Sequence, residues 1–328
     1  MSTPTLGIAP DGRPTTWFRS PRRSLWGWGT ADVIEVLAPW PDHLGVVSER
    51  LSHLAERNDT ILQPGVGPVA FAALPFAREA AARFVVPAVV VVDDGDGGRW
   101  RTDLAPLDAV EFGTGEDVRP PSPPMEISVR QPASVERWCA AVTTVTEQIA
   151  AGVLVKAVLA RRLELHSDVA FDVVGIGEQL AIAHPHALRW CIDGTAGASP
   201  ELLVSRVGDV VRAQPMAGTT PRTGDPAQDL RAATELLSSA KNREEHQITI
   251  DVVHEAILPW CSYLDAEPEP SVVAAGPVQH LATMVQGRLS HPAPSVLELV
   301  GALHPTPAVG GFPTRTALEL IAALEPAG

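Results

Sequence analysis

Strand-forming segments follow one another along this chain in groups, with helices between the groups and not between successive strands, and that order limits the fold more than any other feature. Residues 153–165, 189–193, 201–206 and 209–215 read as strands, residues 229–240 and 243–263 as helices, then 272–278 and 281–289 as strands again. Parallel sheets need a crossover helix between successive strands, whereas antiparallel neighbours are joined by short turns. The pattern therefore predicts an α+β protein with antiparallel sheets, not a doubly wound parallel fold. No strand followed by a Gly-x-Gly-x-x-Gly turn and a helix supports a dinucleotide site, and Gly65-Val66-Gly67-Pro68 reads as a turn.

The part before residue 130 is more mixed. The first thirty residues, rich in Pro, Arg and Trp, read as an irregular entry segment. Residues 31–37 and 42–57 carry helical periodicity, while 66–74 and the β-branched run 84–92 read as strands. The acidic, Gly-rich tract 93–98 lacks the closing Glu of a calcium loop and is read as a hairpin turn. Residues 113–133 form a Pro-rich connection without periodicity. Ser134 is placed to cap a helix that Gly152 stops, and residues 295–303 and 314–324 read as the last two helices. The expected organisation is one α/β unit, with an N-terminal part over 1–130 and a second part over 131–328.

Charge and cysteine content remove several functions. With 25 Lys and Arg against 39 Asp and Glu, the net charge is −14, unsuited to phosphate-backbone binding, so no nucleic acid partner is expected. No apolar run approaches the ~20 residues of a membrane span, and the start lacks the charged-then-apolar pattern of a signal peptide. Cys139, Cys191 and Cys261 are odd in number and far apart, which fits a reducing cytoplasm and excludes a disulfide framework.

A few side chains stand out chemically. Lys156 lies in an apolar strand of a chain whose only other lysine is Lys241. Such a lysine either snorkels at a sheet edge or faces a cavity, where desolvation lets it release its proton, as arginine cannot. Glu201 opens a strand, either as a solvated carboxylate or as an acid or ligand. Residues 215–222, PMAGTTPR, combine a Gly hinge, two hydroxyls and a guanidinium that suit a carboxylate. Glu245, in KNREEH, is either ordinary charge near a helix N-terminus or a metal ligand. The string HPTPAVGG, with Ala308 at its centre, makes a rigid loop: either a structural one or one whose backbone approaches a ligand closely.

Taken together, KAVLAR (156–161), GASPELL (197–203), PMAGTTPR (215–222), KNREEH (241–246), VQHLATMVQGRL (278–289) and ALHPTPAVGG (302–311) resemble the chorismate-utilising enzymes, and within them the isochorismate synthases. The resemblance is strong over roughly residues 130–326, and GPVAFAALPF is similar to the family's more variable N-terminal portion. It implies two large antiparallel sheets flanked by helices, with chorismate and Mg²⁺ bound in the active site. The implied reaction adds water at ring C2, shifts the double bonds and expels the C4 hydroxyl. Lys156 matches the family's general base and Glu201 its general acid, which must hold its proton until it is needed. Glu245 matches a magnesium carboxylate, and Gly218, Thr219 and His280 match substrate contacts. Ala308 occupies a place where the salicylate and anthranilate synthases tend to carry threonine.

The resemblance also implies a segment beyond residue 326: an Arg-Gly-x-Tyr-Ala-Gly string, further strands and a helix with two more magnesium carboxylates. The sequence stops at Gly328, and its single tyrosine is Tyr263. A shortened relative, lacking those strands and that helix and binding Mg²⁺ poorly, is therefore the alternative to a working isochorismate synthase. A salicylate or anthranilate synthase-like enzyme is the other. The expected product serves siderophore, menaquinone or salicylate biosynthesis. The expected protein is a cytoplasmic monomer without a membrane association. Because water and not ammonia is the nucleophile, no glutamine amidotransferase subunit is expected.

Overall fold

A computed structural model describes residues 12–57, 66–105 and 126–325. The chain forms two compact units that interleave along the sequence. One takes Met1–Ser122 with Asp172–Glu201, the other Pro123–Phe171 with Leu202–Gly328. The first unit thus draws two strands and a helix from beyond residue 130. Most of the Pro-rich connection lies outside the described residues.

In the first unit a six-stranded sheet runs in the order Thr195–Ser199, Leu188–Ile192, Thr16–Arg19, Ser24–Trp28, Val89–Asp93, Arg99–Asp103, antiparallel throughout. The supposed irregular entry segment therefore supplies two of its central strands. The run 84–92 is not one strand. Pro87, without an N–H for the ladder, separates Ala82–Val86 from Val89–Asp93, which belong to different sheets. Ala82–Val86 pairs with Asp32–Val36, so the expected helix over 31–37 is a strand. Its residues Val33, Ile34 and Val36 suit a pleated surface, and cross-strand packing outweighs a short helical pattern. Residues 66–74 contribute only an isolated bridge, Phe71 to Val85. The tract 93–98 is a hairpin turn as expected: Asp94 Oδ1 accepts the N–H groups of Asp96 and Gly98 at 2.9 and 2.8 Å.

In the second unit a four-stranded sheet runs Leu202–Val207, Val210–Gln214, Val285–Leu289, Cys261–Ala266, and a three-stranded sheet runs Met216–Pro221, Val278–Ala282, Ser271–Ala275. Val285, Gly287 and Leu289 are buried while Gln286 and Arg288 are exposed, the period-two signature of a half-covered sheet. The helix Ala240–Ile257 buries His246, Thr249, Ile250, Val253 and Ile257, one stripe at helical spacing. With the helix Val296–Leu303 it closes a core of Val211, Ala213, Val285, Leu289, Leu299 and Leu303. That helix is fixed by a full capping box between Ser295 and Glu298. The long helix stops earlier than Tyr263 because Pro259 follows it, and Cys261–Ala266 then pairs with Val285–Leu289. Ser134 caps Val135–Ala150 by accepting the N–H of Arg137 at 3.2 Å, and Gly152 just beyond has a φ of +72°. No described helix is long and apolar enough to cross a membrane.

Candidate active site

Of the residues that the sequence singles out, Lys156, Gly218, Thr219, Glu245, His280 and Ala308 lie in the second unit, while Glu201 is the last residue of the first. The first six therefore share the frame of the second unit, and Glu201 ends a segment of the first.

Lys156 sits in a two-residue strand, Lys156–Ala157, paired antiparallel with Gly311–Phe312. The strand read over 153–165 is otherwise extended loop, and only Glu164–Ser167 pairs again, with Ile127–Arg130. Three further bonds fasten this stretch to the end of the chain. Val155 N–H donates to Phe312 O at 2.8 Å, Val158 N–H to Gly310 O at 2.8 Å, and Ala160 N–H to the Glu325 carboxylate at 2.6 Å. The strings KAVLAR and HPTPAVGG, about 150 residues apart in sequence, are thus neighbours. Gly311 makes this possible. Its φ is +155°, and a Cβ there would land on the carbonyl oxygen of Lys156 and lie 2.6 Å from Ala317 Cβ. The preceding loop is braced internally: the Thr306 carbonyl accepts the N–H groups of Val309 and Gly310 at 3.2 and 2.9 Å, which holds the half-buried Ala308 in a turn.

Gly218, Thr219 and His280 meet across one strand pair. Thr219 is the register partner of His280, and the register shifts between Ala217 and Thr219, at Gly218 with φ +73°. His280 Nδ1 lies 3.0 Å from the Thr219 hydroxyl and 3.3 Å from the Gly218 carbonyl. Both contacts use the same ring nitrogen and leave Nε2 for other partners. A Cβ on Gly218 would lie 3.1 Å from Asn242 Cβ, so this bulge packs against the start of the helix that carries Glu245.

Glu245 lies in the second turn of Ala240–Ile257, and its half-buried carboxylate is 3.7 Å from the exposed Lys241 ammonium. That separation is longer than a hydrogen bond, which leaves the oxygens able to bind a hard cation. Mg²⁺ takes one or two protein carboxylates and completes its octahedron with water and substrate oxygens, so this single carboxylate fits as one ligand. Among the described residues no three His, Cys, Asp or Glu side chains cluster as a ready-made metal cage. Glu201, half-buried, follows the strand Thr195–Ser199, and its N–H donates to the Ser199 hydroxyl at 3.2 Å.

His246 and Thr283, inside KNREEH and VQHLATMVQGRL, are functional candidates that the sequence alone does not single out. His246 is 1% exposed and bonds through Nε2 to the buried Thr283 hydroxyl at 2.7 Å. Burial, helped by the positive charge of Lys156, pushes its pKa down to about 4. A neutral imidazole therefore stands near Lys156 at ordinary pH. Its placement on the buried stripe of the helix is the signal that marks it.

Comparison with known proteins places the chain in a family. The family described as chorismate binding enzyme matches residues 101–328. The isochorismate synthase DhbC of Bacillus subtilis is 35% identical over 331 residues, spanning 96% of this chain and 77% of its own length. The salicylate biosynthesis isochorismate synthase of Pseudomonas aeruginosa is 37% identical over 212 residues, 62% of this chain and 44% of that protein. The crystal structure of DhbC from Bacillus anthracis superposes with a TM-score of 0.78 at 30% identity, over 96% of this chain and 79% of the other. MenF, the menaquinone-specific isochorismate synthase of Escherichia coli, shares the fold with a TM-score of 0.78 at 20% identity, over 99% of this chain and 76% of its own. With residues 101–328 matching the family and DhbC of Bacillus subtilis 35% identical over 96% of this chain, the chain belongs to the chorismate-binding enzymes.

Proposed function

We propose that the protein is an isochorismate synthase that converts chorismate to isochorismate for siderophore, menaquinone or salicylate biosynthesis. The observation that carries the reading is the similarity to DhbC over 96% of this chain and 77% of DhbC, joined to the pairing of the Lys156 strand with the HPTPAVGG loop. In the proposed mechanism Lys156, as the neutral amine, takes a proton from water. The resulting hydroxide adds at ring C2, the ring double bonds shift, and the C4 hydroxyl leaves as water with a proton from Glu201. One water enters and one departs, so no oxidant or reductant is consumed. Glu245 would hold Mg²⁺, which when bound supplies positive charge against the substrate carboxylate. His280 Nε2, the Gly218–Thr219 backbone and the turn at Ala308 orient the ring. The reaction is assigned to a monomer in the cytoplasm, acting on chorismate without an amidotransferase subunit.

The test is incubation with chorismate and Mg²⁺, coupled to an isochorismatase and followed by product identification. Isochorismate is the expected product. Salicylate or anthranilate would move the protein to a neighbouring activity. A protein that binds chorismate without consuming it would be the impaired relative.

A further inference from the structure

The first unit holds a buried charge imbalance that the proposed reaction does not use. Arg19 and Arg189 are register partners on adjacent antiparallel strands, so their guanidinium groups share one face of the six-stranded sheet. Like charges directly opposite one another repel, and this pair is largely removed from water: Arg189 is 8% exposed and the Arg19 side chain 18%. The helix Val173–Ala183 covers the same face, and Gly177 on it lets the helix approach Trp17 closely. That helix brings one carboxylate, Glu178, which Arg19 binds through both terminal nitrogens at 3.3 and 3.4 Å. Arg13 is balanced separately by Asp172 at 2.9 Å. Arg189 makes no ion pair among the described residues, and its one hydrogen bond is a long 3.4 Å contact to the Ala181 carbonyl. One buried positive charge is therefore left over.

The unused donors lie in the same place. Arg19 Nε, Arg189 Nε, Trp17 Nε1 and Trp26 Nε1 are buried without a hydrogen-bond partner. Trp17 and Trp26 are themselves register partners on the face that carries Arg19, whose guanidinium carbon lies 5.0 and 5.5 Å from their rings. All four unused groups donate and none accepts. Buried donors normally find a partner, and their absence points to an unseen one. A water molecule offers acceptors but no charge. A small anion answers both the donors and the surplus charge. We propose that Arg19 and Arg189, with the indole N–H groups of Trp17 and Trp26, form a binding site for a small monovalent anion, a halide or a short carboxylate. The site belongs to the first unit and is independent of the chorismate reading.

The test replaces gluconate, too bulky to enter, with chloride or with formate at constant ionic strength, and follows thermal unfolding. Each small anion that binds should raise the midpoint by about 2–4 °C and saturate, and the rise should vanish in Arg189→Met. A response to chloride alone assigns a halide site, and a response to formate alone a carboxylate site. Should the variant fail to fold, crystals of the unaltered protein grown in bromide give a second reading, with an anomalous peak expected between the two guanidinium groups. No anion response, or an equal response in Arg189→Met, would overturn the proposal, as would water between the two guanidinium groups both in crystals grown in bromide and in crystals grown in formate. So would a bromide peak without any stabilisation by chloride, which marks an adventitious ion only.

Discussion

Lys156 is bracketed by backbone bonds at Val155 and Val158, so its side chain projects from a segment that is pinned although it is barely a strand. If it is the general base, Lys156→Ala should lower turnover at least about 10²-fold, with little change in the unfolding midpoint. Steady-state kinetics beside a melting curve checks both parts. His246 gives a prediction of a different kind. Its folded pKa of about 4 lies below the ordinary histidine value of 6.5. Between those values the unfolded chain binds a proton that the folded chain does not, so stability rises with pH across that window and is lost as pH falls. From pH 7 to pH 5 the loss from this group is about 2 kcal/mol. Denaturant unfolding at the two pH values, without added divalent metal, should show that loss in the wild type and a smaller one in His246→Gln. Equal losses would remove His246 as the source. The candidate residues stand out in the sequence because they sit inside strings whose order resembles a known family. His246 is marked only by its place on the buried stripe of its helix, and the Arg19–Arg189 pair leaves no local trace, since its register partners are separated by 170 positions.

Among the elements, the junction of Lys156–Ala157 with Gly311–Phe312 depends on one glycine. Gly311→Ala forces a side chain onto the Lys156 carbonyl at a φ of +155°, so the strand pair must part. The expected cost is about 1–3 kcal/mol in stability, together with a fall in turnover, because the displaced residue is Lys156 itself. Differential scanning calorimetry and kinetics on the same preparation test the pair of effects. A drop in stability with unchanged turnover would show that this junction does not position the base. Helices with strong end signals were readable in advance: Ser134 caps as its sequence implies, and Thr314–Leu324 has the expected bounds. Segments decided by distant partners were not. Asp32–Val36 became a strand through Ala82–Val86, and Thr16–Arg19 gained its identity from Leu188–Ile192, far along the chain.

At the scale of the molecule, the interleaving of the two units has a consequence for any attempt to divide the chain. Trp17 is fully buried, and its cover comes from Cys191 and from the helix Val173–Ala183. A fragment of residues 1–130 lacks both, along with two strands of the six-stranded sheet. It should therefore show neither cooperative unfolding nor dispersed amide resonances, and a folded 1–130 fragment would contradict the unit boundaries. The antiparallel α+β class was readable from the order of strands, but the return of Asp172–Glu201 to the first unit was not, because nothing local distinguishes a strand that pairs backwards across 170 residues. The central claim, that these elements carry isochorismate synthase chemistry based on Lys156, is tested most directly by one measurement. Purified protein and its Lys156→Ala variant are each given chorismate and Mg²⁺, and the products are resolved by chromatography and mass spectrometry. The account predicts isochorismate from the unaltered protein and at least ~10²-fold less from the variant; a different product, or equal yields from the two, would contradict it.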